Sequence, residues 1–156
     1  MAQARMSRDQ RRMFGGELAI AGGLLTAAGA FLPWVSAGLP FLGRIITKSG
    51  MEDGDGVIFL GAGLIIAAVG LWSLLGRPTF SPFLLIGGGL AVGLGAFAEY
   101  RDVSDRVPEV ERLGGGAVDV AVGGGIWAIF AGAALAVVAG LVLVGQMKPS
   151  TPPPLS

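Results

Sequence analysis

The chain has 156 residues, 53 % of them hydrophobic and 14 % charged, and its eleven basic and eleven acidic side chains cancel. A mean hydropathy of +0.71 excludes an ordinary soluble domain, and the lack of a basic excess excludes nucleic-acid binding. With neither cysteine nor histidine, the chain has no disulfide, no thiol nucleophile and none of the usual haem or zinc ligands, which argues against a haem subunit, a metallohydrolase and a His-based proton relay.

Four charge-free stretches, residues 18–35, 57–75, 80–98 and 126–144, each reach or approach the roughly 20 residues that a helix needs to cross a bilayer. They predict an all-α membrane protein, a four-helix transmembrane bundle forming a single domain over residues 1–156. The expected helices lie at about 16–36, 57–76, 80–98 and 124–146, with outer loops at 38–55 and 99–122. Before the first stretch stand Arg5, Arg8, Arg11 and Arg12. That order resembles a signal peptide, with cleavage after Ala37 as the alternative. The run is longer than a usual h-region and ends at Trp34, so it reads as an uncleaved first helix. Glu17 reads as an interfacial, first-turn residue of that helix.

The dense arginine cluster predicts a cytoplasmic N-terminus, and four crossings return the C-terminus to the same side. Arg77-Pro78-Thr79 and Lys148 then lie inside. Trp34, Tyr100 and Trp127 fall at outer helix ends, Phe14 and Trp72 at inner ones, as interfacial anchors. The tail at 147–156 is rich in proline and reads as a disordered, polyproline II-like extension.

In the first outer loop, Arg44-Ile45-Ile46-Thr47 is rich in β-branched residues and is followed by a Ser49-Gly50 turn signal. Glu52, Asp53 and Asp55 sit among glycines. They are weak candidates for a calcium site, with Asp-Gly turns and an Asp cap on helix two as the plainer reading. The second outer loop carries Val103, Val107, Val110 and Leu113 at helical spacing, interrupted by Pro108. It closes with a short strand over residues 117–122. A small extracytoplasmic sheet pairing residues 44–47 with 118–122 follows as an expectation.

Twenty-eight glycines are a poor choice for water-soluble helices but suit close helix packing in lipid. Helix four carries Ala128, Gly132, Ala136 and Gly140 at four-residue spacing. Helix three carries Gly89 and Gly93, with Gly87, Ala91 and Gly95 on a neighbouring track, leaving one face for a partner or for self-association. Helix two has Gly63 and Ala67; helix one has Ala19, Gly23 and Ala27. Gly29-Ala30-Phe31 is echoed by Gly95-Ala96-Phe97, and Gly54-Asp55-Gly56 by Gly123-Gly124-Gly125, either an internal duplication or a product of small-residue bias.

Pro33-Trp34-Val35, Asp53-Gly54-Asp55-Gly56 and Gly123-Gly124-Gly125-Ile126-Trp127 together resemble a pattern in small four-helix bacterial membrane proteins, especially from high-GC Gram-positive genomes. The resemblance implies the topology and carries no activity. In architecture the chain is also similar to claudin-like tetraspans, without their first-loop cysteine pair. The sequence offers no catalytic residue and no cofactor site. The functional expectation is a non-catalytic accessory or scaffold subunit of a larger complex in the bacterial cytoplasmic membrane. An oligomeric transporter or pore is one alternative. A membrane enzyme using Asp53 or Asp55 with Glu109 or Glu111 is the other.

Overall fold

A computed structural model of the chain describes residues 7–39, 43–76, 80–113 and 119–145. The expectations for Arg5, Arg77-Pro78-Thr79, Val118 and the tail at 147–156 lie outside the described residues.

Helix α1 spans Arg8–Gly29. It is started by a reciprocal cap: the Gln10 backbone N–H donates to Ser7 Oγ at 3.2 Å, and the Ser7 N–H donates to Gln10 Oε1 at 2.9 Å. The expected limits of 16–36 are therefore displaced at both ends. At the far end, Pro33 has no N–H to continue the ladder and disfavours helical backbone at Leu32. Residues Pro33–Leu39 form strand β1 instead. Trp34 folds back, and its Nε1–H donates to the Gly29 carbonyl at 3.0 Å, satisfying one acceptor that the helix end leaves open.

Strand β2 (Gly43–Ser49) and the short α2 (Gly50–Asp53) follow. Gly54 then turns the chain at φ 89°, a left-handed conformation that favours glycine, into α3 (Gly56–Leu74). Helix α4 runs over Ser81–Leu113, 33 residues or roughly 50 Å, with Pro108 inside it. The helical spacing expected in the second loop thus belongs to one helix continuous with the third apolar stretch. Strand β3 (Asp119–Val122) leads into α5 (Gly124–Val144).

The three strands form one antiparallel sheet in the order β2-β1-β3. The two segments expected to pair with each other are both strands, but β1 lies between them: Ala37 faces Ile46 on one side and Val120 on the other. Hydropathy had assigned this central strand to the end of the first helix. The two echoed glycine motifs also differ in conformation. Gly54 is left-handed where Gly123 is extended, and Gly29 ends a helix where Gly95 lies within one.

The protein is mostly helical, and among the described residues three helices, α3, α4 and α5, are long and apolar enough to cross a membrane. α1 carries Arg8, Asp9, Arg11, Arg12 and Glu17 and is not one of them. It nevertheless holds the others together, packing between α3 and α5, while α4 lies against α5 and more loosely against α3. Paired small residues recurring every seven positions create its two seams. A Cβ added at Gly22 would lie 2.7 Å from the Gly132 carbonyl oxygen, and one at Gly29 2.8 Å from that of Gly125. One position on, a Cβ at Gly16 would lie 3.2 Å from the Gly70 oxygen, and Gly23 meets Gly63 and Ala67 in the same way. A seven-residue repeat drifts by only about 20° per step, so each track stays on one neighbour, in the left-handed geometry of coiled coils.

Candidate functional site

Where the sheet meets the helices, a cavity of about 330 Å³ opens between β1, β3, α4 and the start of α3. Trp34, Val35, Val103, Val107 and Val120 give it an apolar floor, and Asp55, Glu99, Asp102 and Arg106 supply its charge. Each is placed by a local cause. Trp34 is buried with its ring 5.4 Å from that of Phe59, edge to face, and Gly50 and Gly125 leave room for the indole. β3 is fixed beside it by the Gly123 N–H, which donates to the Trp34 carbonyl at 2.7 Å. Ser36 Oγ reaches the Ala121 carbonyl at 3.4 Å. On α4, one turn separates Asp102 from Arg106, and their 2.8 Å ion pair is solvent-exposed, worth about 0.3–0.5 kcal/mol for such a helical pair.

The site differs in several ways from the sequence expectation. Asp55 occupies the N-cap position of α3, but its side chain makes no capping hydrogen bond and lines the cavity. Glu52 is exposed. Among the described residues no group of three His, Cys, Asp or Glu side chains is placed to hold a metal ion, and the Asp53 side chain lies outside them. The carboxylates that join Asp55 in the cavity are Glu99 and Asp102, two to three turns before the expected Glu109. Their i, i+3 spacing on a helix was a legible signal. Facing them with Asp55 required the tertiary structure.

Of the four expected anchors, Trp34 is corrected. It is 3 % exposed and packs as a core residue at the junction of sheet and helices. Trp72 and Trp127 are exposed, and half-buried Tyr100 lies edge-on to Trp127 at 5.8 Å.

The small-residue ridges also resolve differently. Gly89 is buried on α5, where an added Cβ would lie 2.8 Å from the Ala133 oxygen, so it does not form a free face. Gly93 is half-buried, and a Cβ there would lie an ordinary 3.8 Å from that of Ala133. The helix-four ridge is divided between neighbours. Gly132 and Ala136 meet α1, Gly140 meets Pro82 and Ile86 of α4, and Ala128 is half-buried. A four-residue step rotates about 40° on a helix of 3.6 residues per turn, so such a ridge winds from one partner to the next. Between α3 and α4 an apolar groove of about 540 Å³ is lined by Ile65, Val69, Trp72, Phe80 and Leu84.

No protein-family model matches the chain, and no curated protein matches it either.

Proposed function

We propose that the chain is a multi-pass protein of the bacterial cytoplasmic membrane, a four-helix transmembrane bundle with both termini in the cytoplasm. In this reading it acts as a non-catalytic accessory or scaffold subunit of a larger membrane complex. The resemblance to small four-helix bacterial membrane proteins supports the same topology. Geometry supports α1 as the fourth span. At one end Arg11 and Arg12 lie beside Gly145 and Gly76, just past the ends of α5 and α3. At the other, Gly29 meets Gly125 at the start of α5. α1 therefore covers the same height as its neighbours, and its arginines stand where cations favour the C-terminal ends of helices and the headgroup layer.

One observation carries the functional reading, the polarity of the interior. Among the described residues the buried polar side chains are Thr26, Ser36, Ser73 and Ser81. Thr26 and Ser73 donate to carbonyls of their own helices at 2.9 Å. None of the four is ionisable, so among the described residues the middle of the helical core holds no buried acid or base of the kind that proton relays and ion pathways use, and the buried Arg12 Nε lies at its arginine-rich end.

Both parts are testable on this cysteine-free chain. Thr47→Cys should react with a membrane-impermeant maleimide in intact cells, and Ser7→Cys only after permeabilisation. Equal labelling of both in intact cells would remove α1 as a span. Purification in mild detergent should retain a stoichiometric membrane-protein partner. Ion or solute flux through liposomes containing the purified chain alone would instead establish a transporter.

A further inference from the structure

Two of the faces of α1 are occupied, one by α5 along Gly15, Gly22 and Gly29, the other by α3 along Gly16 and Gly23. A third face is exposed along the helix, and Phe14, Glu17, Ala21, Leu24 and Ala28 follow one another on it in steps of three and four residues. That alternation is the seam of a left-handed helix pair, because it keeps a single stripe against a neighbouring helix. Glu17 is its distinctive member. Its neighbours one turn away on α1, Met13, Phe14, Ile20 and Ala21, include no cation. Among the described residues its carboxylate has no hydrogen bond or ion pair. The nearest arginines in sequence turn elsewhere, Arg12 toward the end of α3 and Arg11 toward the end of α5. Glu17 is the tenth residue of α1, not a first-turn residue, and lies about 7.5 Å further along the helix axis than Arg12. A carboxylate on the lipid-facing side of a span is costly unless it is paired.

We propose that this face of α1 docks a transmembrane helix of a different membrane protein that carries a lysine or arginine at the depth of Glu17. Charge selects the occupant. A second copy meeting through the same face about a two-fold axis would set Glu17 against Glu17. The inference rests on the accessory-subunit reading and names its docking face.

The test is site-specific photo-crosslinking in membranes of the source cell, with a benzophenone side chain at Ala21 or Ala28. Controls carry it at Leu64 or Leu94, which are exposed on α3 and α4. Each is combined with Glu17→Gln and Glu17→Lys. The expected result is a single heterologous adduct from positions 21 and 28, reduced about tenfold by Glu17→Lys, a loss of roughly one decade in binding constant. Changing the partner's cation to glutamate should restore it. Should Glu17→Lys shift the unfolding midpoint of the purified protein, the near-isosteric Glu17→Gln decides, with a smaller loss expected. An adduct indifferent to Glu17, or one of twice the chain's own mass, overturns the proposed occupant. Adducts from positions 64 and 94 alone overturn the face and leave the accessory reading intact. No adduct from any position sinks both.

Discussion

At the scale of single residues, what matters most is where a side chain would have no room. Gly22 and Gly132 hold the α1 and α5 backbones against each other, whereas a Cβ at Gly87 or Gly61 would meet nothing within 4 Å. Gly22→Leu should therefore lower stability by at least about 1–3 kcal/mol, the cost of overpacking a tight interface, while Gly87→Leu leaves it unchanged. Unfolding by mixed-micelle titration reads both, and an equal effect at the two sites would refute the seam. Trp34 makes the complementary case. Trp34→Phe keeps an aromatic ring but leaves the Gly29 carbonyl without its donor, at a cost of about 1–3 kcal/mol if that acceptor stays dry. Gly54 is held at φ 89°, so Gly54→Ala should cost about 1–2 kcal/mol, a loss that Gly61→Ala would not share.

Among the elements, α4 and β1 depart furthest from hydropathy. α4 is roughly 50 Å long, well beyond the ~30 Å hydrocarbon core, and its charged second half serves as one wall of the cavity. Pro108 deprives the Ser104 carbonyl of its helical donor. Pro108→Ala should restore that bond and slow amide exchange across residues 104–112. Unchanged exchange would mean that the last two turns gain nothing from a complete ladder. Much of this was legible. Ser7-Arg8-Asp9-Gln10 is a capping-box pattern that marks the true start of α1, and Val103 and Val107 already kept the helical period of α4. β1 was not legible. Leu32-Pro33-Trp34-Val35 is as apolar as a membrane span, and only its pairing with two distant segments makes it a strand.

In the whole molecule, α1 joins two hairpin-like halves along α5, and the halves also meet through the β1–β3 pairing, α5 beside β1, α3 beside α4 and a slight contact of α3 with α5. Co-expressed fragments, residues 1–78 and 79–156, should therefore assemble and co-purify through the α1–α5 seam and the β1–β3 pairing. Gly132→Leu should abolish that association. Fragments that remain together despite it would move the main contact to the β1–β3 pairing or to α3–α4. The same centrality lets α1 pack closely against two helices although five of its residues are charged. Its polar residues lie in the first ten positions, and the remainder is almost entirely small or apolar.

Composition and periodicity alone determined that this chain is built of long apolar helices, that small residues let them approach, and that the polar segments between them carry whatever chemistry the protein has. These are properties of solvent preference and side-chain volume, which each residue brings with it. Only the tertiary structure decided which glycine faces which helix, that Trp34 is core and not anchor, and that Asp55 meets Glu99 and Asp102 across a cavity. Those outcomes depend on distances between segments more than a hundred residues apart, as for Gly22 and Gly132, and helical drift, strand pairing and the seven-residue tracks of α1 set them jointly.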